Sequence, residues 1–222
     1  MYRALLFDLD GTLAETDSLH LPTWVDVLRP YGIEIDERFF RENISGRSNS
    51  KTVKDLFPHL SAEDGRDLAG FKEERFRERV HELVPLPGLL DFMREAKRRG
   101  LALALVTNAP EENVEAMLLA LELEGFFDEV VLSDEVGSVK PDPAPYRTAL
   151  EKLGVVPEEA LAFEDSTSGI TSAAGAGIST IGITSTQAPE TLEEVGAFMV
   201  AEDFAHTKLR NLLDLPGEEP EA

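Results

Sequence analysis

The sequence predicts an α/β fold, in which helices cover both faces of a Rossmann-like parallel sheet and an all-α segment is inserted after the first strand. From residue 88 onward, short apolar runs alternate with stretches of helical periodicity. Such alternation is typical of right-handed β-α-β crossovers in a parallel sheet. Between residues 15 and 85 every periodic segment is helical, although an apolar run of strand type, Ala4–Phe7, precedes them.

The elements follow from the spacing of apolar residues and from the glycines and prolines between them. Apolar runs predict strands over residues 4–7, 101–106, 129–132, 160–163, 179–183 and 197–200. Periodic spacing predicts helices over residues 14–31, 37–43, 53–57, 62–82, 89–99, 110–121, 143–153, 166–174 and 208–213. We therefore divide the chain into an α/β core, residues 1–14 and 87–222, and a helical insertion, residues 15–86.

Composition narrows the class of protein. The chain has 222 residues, enough to bury a sizeable core, and 21 Lys and Arg against 43 Asp and Glu give a net charge of −22. So acidic a surface repels nucleic acids and anionic membranes. The sequence has no apolar stretch of membrane-spanning length, we expect no signal peptide, and the lack of cysteine excludes disulfides. We predict a cytoplasmic protein that binds neither nucleic acid nor membrane.

Two acids, Asp8 and Asp10, come directly after the first apolar run. Residues two apart on an extended chain point to the same side, so both carboxylates face one space. Gly11, which follows them, permits a sharp turn and a close approach to the backbone. Unpaired charge at the end of a buried strand is costly, which favours a functional site. The alternative is a local turn in which the acids bind backbone amides.

Polar residues follow several predicted strands at one edge of the sheet. Ligands of such sheets bind beyond the carboxyl ends of the strands, so we expect these residues to share one pocket. They are Asp8 and Asp10, Thr107 and Asn108, Lys140, and Glu164 with Asp165. Lys140 is isolated, because it is the only basic residue between Arg99 and Arg147.

The residue types predict the chemistry of this pocket. Carboxylates without histidine or cysteine form a hard, oxygen-rich site that suits Mg²⁺. A phosphate group would supply the negative charge that Mg²⁺ and Lys140 neutralise, and the Thr107 hydroxyl and Asn108 amide can bind its oxygens. One aspartate can attack phosphorus and form an aspartyl-phosphate, while a second acid transfers the proton.

Together these motifs resemble those of the haloacid dehalogenase-like (HAD) hydrolases. The matching segments are Asp8-Leu9-Asp10-Gly11-Thr12-Leu13, Thr107-Asn108, Lys140-Pro141 and Glu164-Asp165-Ser166. The resemblance implies that Asp8 is the nucleophile and Asp10 the general acid and base. It further implies that Thr107 and Asn108 bind the phosphoryl group and that Lys140 balances charge. Mg²⁺ would bind Asp8, the Asp10 backbone carbonyl and Asp165, with Glu164 close by.

The helical insertion resembles the cap of the β-phosphoglucomutase-like and small-metabolite phosphatase branch. The resemblance implies substrate binding by His20, by Gly46 and Arg47 in a Gly-Ser loop, and by Lys72. Some of these residues have a simpler interpretation. His20 is equally a packed side chain, and Lys72 lies on a charged helix face that is normally solvated. For Glu164 the alternative to a functional role is a helix cap or an ion pair with Lys140.

We predict a Mg²⁺-dependent phosphatase of a small phosphate monoester, such as a sugar phosphate, that acts through an aspartyl-phosphate. We expect a monomer, with a weak dimer as the alternative. The nearest rival is a β-phosphoglucomutase-like phosphomutase, but those enzymes carry Ser-Lys where this chain has Ala109-Pro110, and Arg47 is not at their usual arginine position. The third candidate is a receiver-like or inactive regulatory protein. Receiver domains lack a helical insertion, and no catalytic position is lost here.

Overall fold

The structure is a computed structural model that describes residues 2–45 and 47–212. Its strands are β1 Ala4–Phe7, β2 Ala102–Thr107, β3 Glu129–Leu132, β4 Ala160–Glu164, β5 Ser179–Ile183 and β6 Met199–Ala201. The first helices are α1 Asp17–Leu28, α2 Glu37–Asn43, α3 Asn49–Leu56 and α4 Ala62–Arg77. The later helices are α5 Leu89–Arg98, α6 Glu111–Ala120, α7 Ser133–Val136, α8 Ala144–Leu153, α9 Thr167–Gly175, α10 Pro189–Glu194 and α11 Thr207–Leu212.

The strands of the described chain form one parallel sheet in the order β3-β2-β1-β4-β5-β6. The predicted α/β class is therefore confirmed. β1 lies in the interior of the sheet, and all four of its residues are buried. After β1 the chain forms β2 on one side of that strand, and the later strand β4 lies on its other side. The end of β1 is thus the switch point at which open α/β sheets bind ligands.

Helices pack on both faces of the sheet. On one face the ring of Phe7 stacks on that of Phe163 with centroids 4.8 Å apart, and Phe92 of α5 packs edge-on against Phe163. On the other face Leu6 and Tyr146 of α8 belong to one buried apolar cluster. Full burial of a Leu or Phe side chain contributes about 1.5–3 kcal/mol, so these two layers hold the strands in register.

The chain divides into two compact units, Met1–Glu15 with Val84–Ala222, and Thr16–Leu83. The boundaries that we predict differ from these by one residue and by three. The helical unit has its own core, which includes Trp24, Phe40 and Leu68. Trp24 is 1% exposed, as expected for a core residue. None of the helices in the described ranges has the length and apolar character that crossing a bilayer requires.

Several helix bounds differ from the predicted ones. The helix predicted to reach residue 82 ends at Arg77, and a 3₁₀ turn, Val80–Glu82, follows it. α3 begins at Asn49, earlier than predicted, because the Ser48 hydroxyl caps it by accepting from a backbone N–H in its first turn. The sequence does not predict α7 and α10, since four and six residues are too few to show periodicity. The last predicted helix reaches residue 213, which lies outside the described residues.

Candidate active site

Asp8 directly follows β1, between the ends of β2 and β4. Its backbone N–H donates to the carbonyl of Phe163 at 3.0 Å, which extends the parallel pairing by one residue. The register of the neighbouring strands places Val106 and Glu164 on either side of it. The Asp8 side chain is 12% exposed, whereas that of Glu164 is 0% exposed. Of these two carboxylates, Asp8 is the one that a ligand can reach.

Lys140 joins the strand ends through its side chain. Its ammonium donates to Asp8 Oδ1 at 2.6 Å, to Glu164 Oε1 at 2.6 Å and to the carbonyl of Val106 at 2.7 Å. Because an ammonium group has three N–H donors, this set of acceptors uses all of them. The backbone N–H of Lys140 donates to Asn108 Oδ1 at 3.1 Å, and the peptide bond to Pro141 is cis. The lysine is therefore fixed at both its side chain and its backbone.

Glu164, the last residue of β4, has its carboxylate against the backbone of α9. A Cβ atom at Gly169 would overlap both carboxylate oxygens, so the carboxylate can lie here only because residue 169 has no side chain. The hydroxyl of Tyr146 donates to Glu164 Oε1 at 2.6 Å, and that of Ser166 to Oε2 at 3.5 Å. Ser166 also caps α9, since its oxygen accepts from the backbone N–H of Gly169 at 3.0 Å. Glu164 itself thus pairs with Lys140 rather than capping the helix.

Asp165 lies against the turn that follows β1. A side chain at Gly11 would overlap the Asp165 carboxylate, and Gly11 has φ +75°, which also favours glycine. The hydroxyl of Thr186, in the loop after β5, donates to Asp165 Oδ2 at 2.5 Å. This hydrogen bond leaves Oδ1 of Asp165 for a cation.

The carboxylates of Asp8, Glu164 and Asp165 are buried together, with ligand oxygens within 4.8 Å of one another. Lys140 pairs with two of these three carboxylates and supplies a single positive charge. Burial, reinforced by the charge of Glu164, raises the pKa of Asp8 from 3.8 to about 7. Burial first, and then the charges of Asp8 and Glu164, raise the pKa of Asp165 well above its usual value. An all-oxygen site with excess negative charge fits a hard divalent cation.

Lys140 remains an ammonium in this site. Burial by itself would lower its pKa, but the carboxylates of Asp8 and Glu164 outweigh burial and raise the pKa above its usual value. The pKa of Tyr146 lies well above 10, because the hydroxyl is buried and because it faces the Glu164 carboxylate. Lysine and tyrosine are therefore both hydrogen-bond donors at neutral pH.

Thr107 and Asn108 lie at the carboxyl end of β2, where they can bind an anion. The Thr107 hydroxyl accepts from the backbone N–H of Ala109 at 3.0 Å and keeps its own proton to donate. Asn108 Oδ1 accepts from Ser133 at 2.6 Å as well as from Lys140. Within the described residues the structure gives the Asn108 Nδ2 no acceptor, so this group can bind a ligand oxygen.

Asp10 lies on the turn after β1. It forms an isolated parallel bridge with Ala14 through the backbone. Its charge contributes to the raised pKa of both Asp8 and Asp165, which indicates that it is near them. The predicted general acid and base is therefore in the neighbourhood of the predicted nucleophile.

The remaining predicted residues belong to the helical unit. The ammonium of Lys72 lies 2.8 Å from His20 Nδ1, and the imidazole of His20 stacks on Phe76 with centroids 4.2 Å apart. Lys72 is 1% exposed, so the expectation of a solvated helix face is wrong at this position. Arg47 instead donates to the carbonyl of Glu42 at 3.3 Å. Gly46 lies outside the described residues.

The structure thus places the site residues predicted for the α/β core at the carboxyl edge of the sheet. In the helical unit it pairs His20 with Lys72. Sequence reasoning missed three residues of the edge: Tyr146, Gly169 and Thr186. Tyr146 follows Lys140 by six residues. This spacing does not show that the two side chains meet, because their contact depends on the path of the loop between them. Thr186 lies 21 residues from its partner Asp165, and no local pattern links the two.

The family of the chain follows from comparison with known proteins. A family model described as haloacid dehalogenase-like hydrolase matches residues 5–183. The chain belongs to this family and is one of its hydrolases, as the four motifs predict.

Named relatives cover most of the chain. The phosphorylated carbohydrates phosphatase of Thermotoga maritima is 35% identical over 80% of this chain and 83% of its own length. Protein CbbY of Cereibacter sphaeroides is 35% identical over 80% of this chain and 82% of its own. The crystal structure of a CbbY mutant from Rhodobacter sphaeroides in complex with xylulose-(1,5)bisphosphate has a TM-score of 0.80. It is 33% identical and covers 93% of this chain and 96% of that one.

Proposed function

We propose that the protein is a Mg²⁺-dependent phosphatase of a small phosphate monoester, a phosphorylated sugar in particular. The main observation behind this proposal is the buried contact of Lys140 with both Asp8 and Glu164. Of the two carboxylates, only that of Asp8 is partly exposed. The relatives support the substrate class, because one is named for phosphorylated carbohydrates and the other binds a sugar bisphosphate in its crystal structure.

In the first step, a carboxylate oxygen of Asp8 attacks the phosphorus atom of the ester and the bond from phosphorus to the leaving oxygen breaks. The carboxyl group of Asp10 gives its proton to that oxygen, so the free alcohol leaves. Thr107 and Asn108 donate hydrogen bonds to the transferring group. Lys140 stays charged throughout and offsets part of the negative charge that accumulates beside Asp8.

In the second step, water attacks the phosphorus of the aspartyl-phosphate. Asp10, now a carboxylate, takes a proton from this water, and inorganic phosphate leaves with Asp8 restored. Asp8 and Asp165, together with the backbone carbonyl of Asp10, would hold the Mg²⁺, with Glu164 close by. When bound, the ion supplies positive charge that polarises the phosphoryl oxygens.

The proposal is tested by following phosphate release from p-nitrophenyl phosphate and from a panel of sugar phosphates. We expect steady turnover with Mg²⁺, arrest by EDTA and recovery when Mg²⁺ is restored. Steady turnover also excludes a regulatory protein that is phosphorylated once. A hexose 1-phosphate that is converted to the 6-phosphate instead of losing phosphate would make the chain a mutase and overturn the proposal.

The nucleophile is tested by Asp8→Asn. Because the carboxylate would form the covalent intermediate, we expect turnover to fall by at least about 10³-fold, to the detection limit. The side chain keeps its size, so the far-ultraviolet circular dichroism spectrum should match that of the wild type. A variant that turns over at a tenth of the wild-type rate or more would exclude Asp8 as the nucleophile.

That the helical unit selects the substrate, through His20, Arg47, Lys72 and the undescribed Gly46, stays a prediction from the family resemblance. The monomeric state also stays a prediction. We place the protein in the cytoplasm because the sequence has no cysteine.

A further inference from the structure

We propose that Tyr146 is a positioning residue whose hydroxyl holds the Glu164 carboxylate and, through it, the ammonium of Lys140 against Asp8. The inference rests on the proposed function, because the arrangement that it explains is that of the phosphatase site. It adds a residue that lies outside the four sequence motifs.

Tyr146 and Lys140 donate to the same carboxylate oxygen. Glu164 Oε1 accepts from Tyr146 at 2.6 Å and from Lys140 at 2.6 Å. The Lys140 Nζ also lies 5.3 Å from the centroid of the Tyr146 ring, within the range of a cation–π interaction. Tyr146 thus contacts both members of the ion pair, one with its ring and the other with its hydroxyl. The position of Tyr146 therefore restricts both the Glu164 carboxylate and the Lys140 ammonium.

The Tyr146 hydroxyl is buried and so needs a hydrogen-bond partner. Tyr146 is fully buried, and its ring packs in an apolar cluster with Ala149 and Ala173. Phenylalanine would fill the same space without placing a hydroxyl there, and a buried hydroxyl costs free energy unless it is hydrogen-bonded. The hydrogen bond that repays this cost goes to Glu164. The hydroxyl therefore contributes a hydrogen bond to the carboxylate and adds nothing to the packing of the core.

The loop before α8 helps to hold Tyr146 in place. Asp142 Oδ1 accepts from the backbone N–H of Ala144 at 2.8 Å, which orders the start of the helix. The carbonyl of Asp142 accepts from the Ser172 hydroxyl of α9 at 2.5 Å. The segment that carries Lys140 and Tyr146 is thus attached to the helix that carries Gly169, against which Glu164 lies. Removal of the tyrosine hydroxyl would leave Glu164 with Lys140 as its one strong donor among the described residues, beside the longer 3.5 Å contact from Ser166.

The substitution Tyr146→Phe tests the inference, since it removes the hydroxyl and keeps the ring. With p-nitrophenyl phosphate and saturating Mg²⁺ we expect kcat to fall about tenfold, as for loss of a hydrogen bond to a charged group. We expect KM to stay within about twofold, because Tyr146 does not touch the substrate. The matched control is Tyr31→Phe, the same change at a tyrosine of the helical unit that is 54% exposed. This control should keep the wild-type kcat.

A double-mutant cycle with Glu164→Ala, which removes both oxygens that accept hydrogen bonds, separates positioning from a general structural effect. If Tyr146 acts through Glu164, Tyr146→Phe should change kcat by less than about twofold once the carboxylate is replaced. The same four proteins, unfolded in urea without metal, should show the same coupling in stability, which is a readout independent of activity.

The inference is overturned if Tyr146→Phe keeps the wild-type kcat, if KM rises as much as kcat falls, or if the two substitutions act independently in both measurements. Its failure is distinct from failure of the proposed function. A wild-type protein that releases no phosphate refutes the function, while the unfolding cycle still decides whether Tyr146 holds Glu164.

Discussion

At the scale of single residues, the missing side chain of Gly169 is as much a part of the site as the charged groups. Glu164 is completely buried, and its carboxylate occupies the volume that a Cβ of residue 169 would need. A buried carboxylate is costly unless donors surround it, and Lys140 and Tyr146 can reach Glu164 only where it now lies. The glycine therefore fixes where the ion pair forms.

We expect Gly169→Ala to lower both stability and activity. The added methyl must displace the carboxylate, and such overpacking costs about 1–3 kcal/mol. The free energy of unfolding in urea should fall by about that amount, and kcat should fall with it, because Lys140 would lose its alignment with Asp8.

The matched control is Gly70→Ala on the exposed side of α4, where a Cβ atom would meet nothing within 4 Å. Alanine in a helix is more favourable than glycine, so this variant should gain about 0.5–1 kcal/mol. Equal effects of the two substitutions would show that the Glu164 contact is unimportant.

Among the elements of the helical unit, α2, α3 and α4 each begin just after a residue whose side chain caps the helix. Ser61 precedes α4, and its hydroxyl oxygen accepts from the backbone N–H of Asp64 at 3.1 Å. The sequence predicts this cap, because a serine followed by acids in the first turn is typical of a helix start. Sequence does not predict where α4 ends.

We expect Ser61→Ala to lower the free energy of unfolding by about 1 kcal/mol, the usual cost of losing an N-cap. Urea unfolding followed by circular dichroism measures this loss. Ser61→Asn should restore most of it, because asparagine is also a good cap and adds no charge beside the Asp64 carboxylate. A loss of the same size in both variants would mean that the hydroxyl does something other than capping.

The charge pattern of an element can hide its buried positions. α4 carries alternating charges around residue 72, which is typical of a solvated face. In the structure the Lys72 ammonium lies 5.1 Å from the Phe76 ring and 5.8 Å from that of Trp24, and it pairs with Glu73 at 3.2 Å. The partners of this cation come from different helices, so its burial cannot be predicted from one helix alone.

At the scale of the whole molecule, the buried carboxylates link stability to pH. Burial first, then the charges of Glu164 and Asp10, raise the pKa of Asp8 to about 7, against the opposing effect of Lys140. The pKa of Asp165 is raised by similar causes. Between about pH 4 and pH 7 the folded protein keeps protons that the unfolded chain has lost. Stability of the metal-free protein must then fall as pH rises through this window.

We expect the thermal midpoint in EDTA to be lower at pH 7 than at pH 5. Mg²⁺ should raise the midpoint more at pH 7, because it binds the ionised carboxylates and competes with protons. Thermal unfolding followed by circular dichroism at both pH values, with and without Mg²⁺, measures these shifts. Asp8→Asn removes one titrating group and should reduce the drop. A larger Mg²⁺ effect at pH 5 would contradict this account.

Local patterns in the chain are enough to predict the α/β class, the strands and the chemical groups at the carboxyl ends of the strands. Strand β1 is an unbroken apolar run, and the acids after it are out of place in a core, so both are local patterns that a single segment reveals. The tertiary structure decided which groups meet. Lys140 binds Asp8 across 132 positions of the chain, and Tyr146 reaches Glu164 across 18. Such contacts depend on strand order and on the course of loops, which no periodicity within one segment contains.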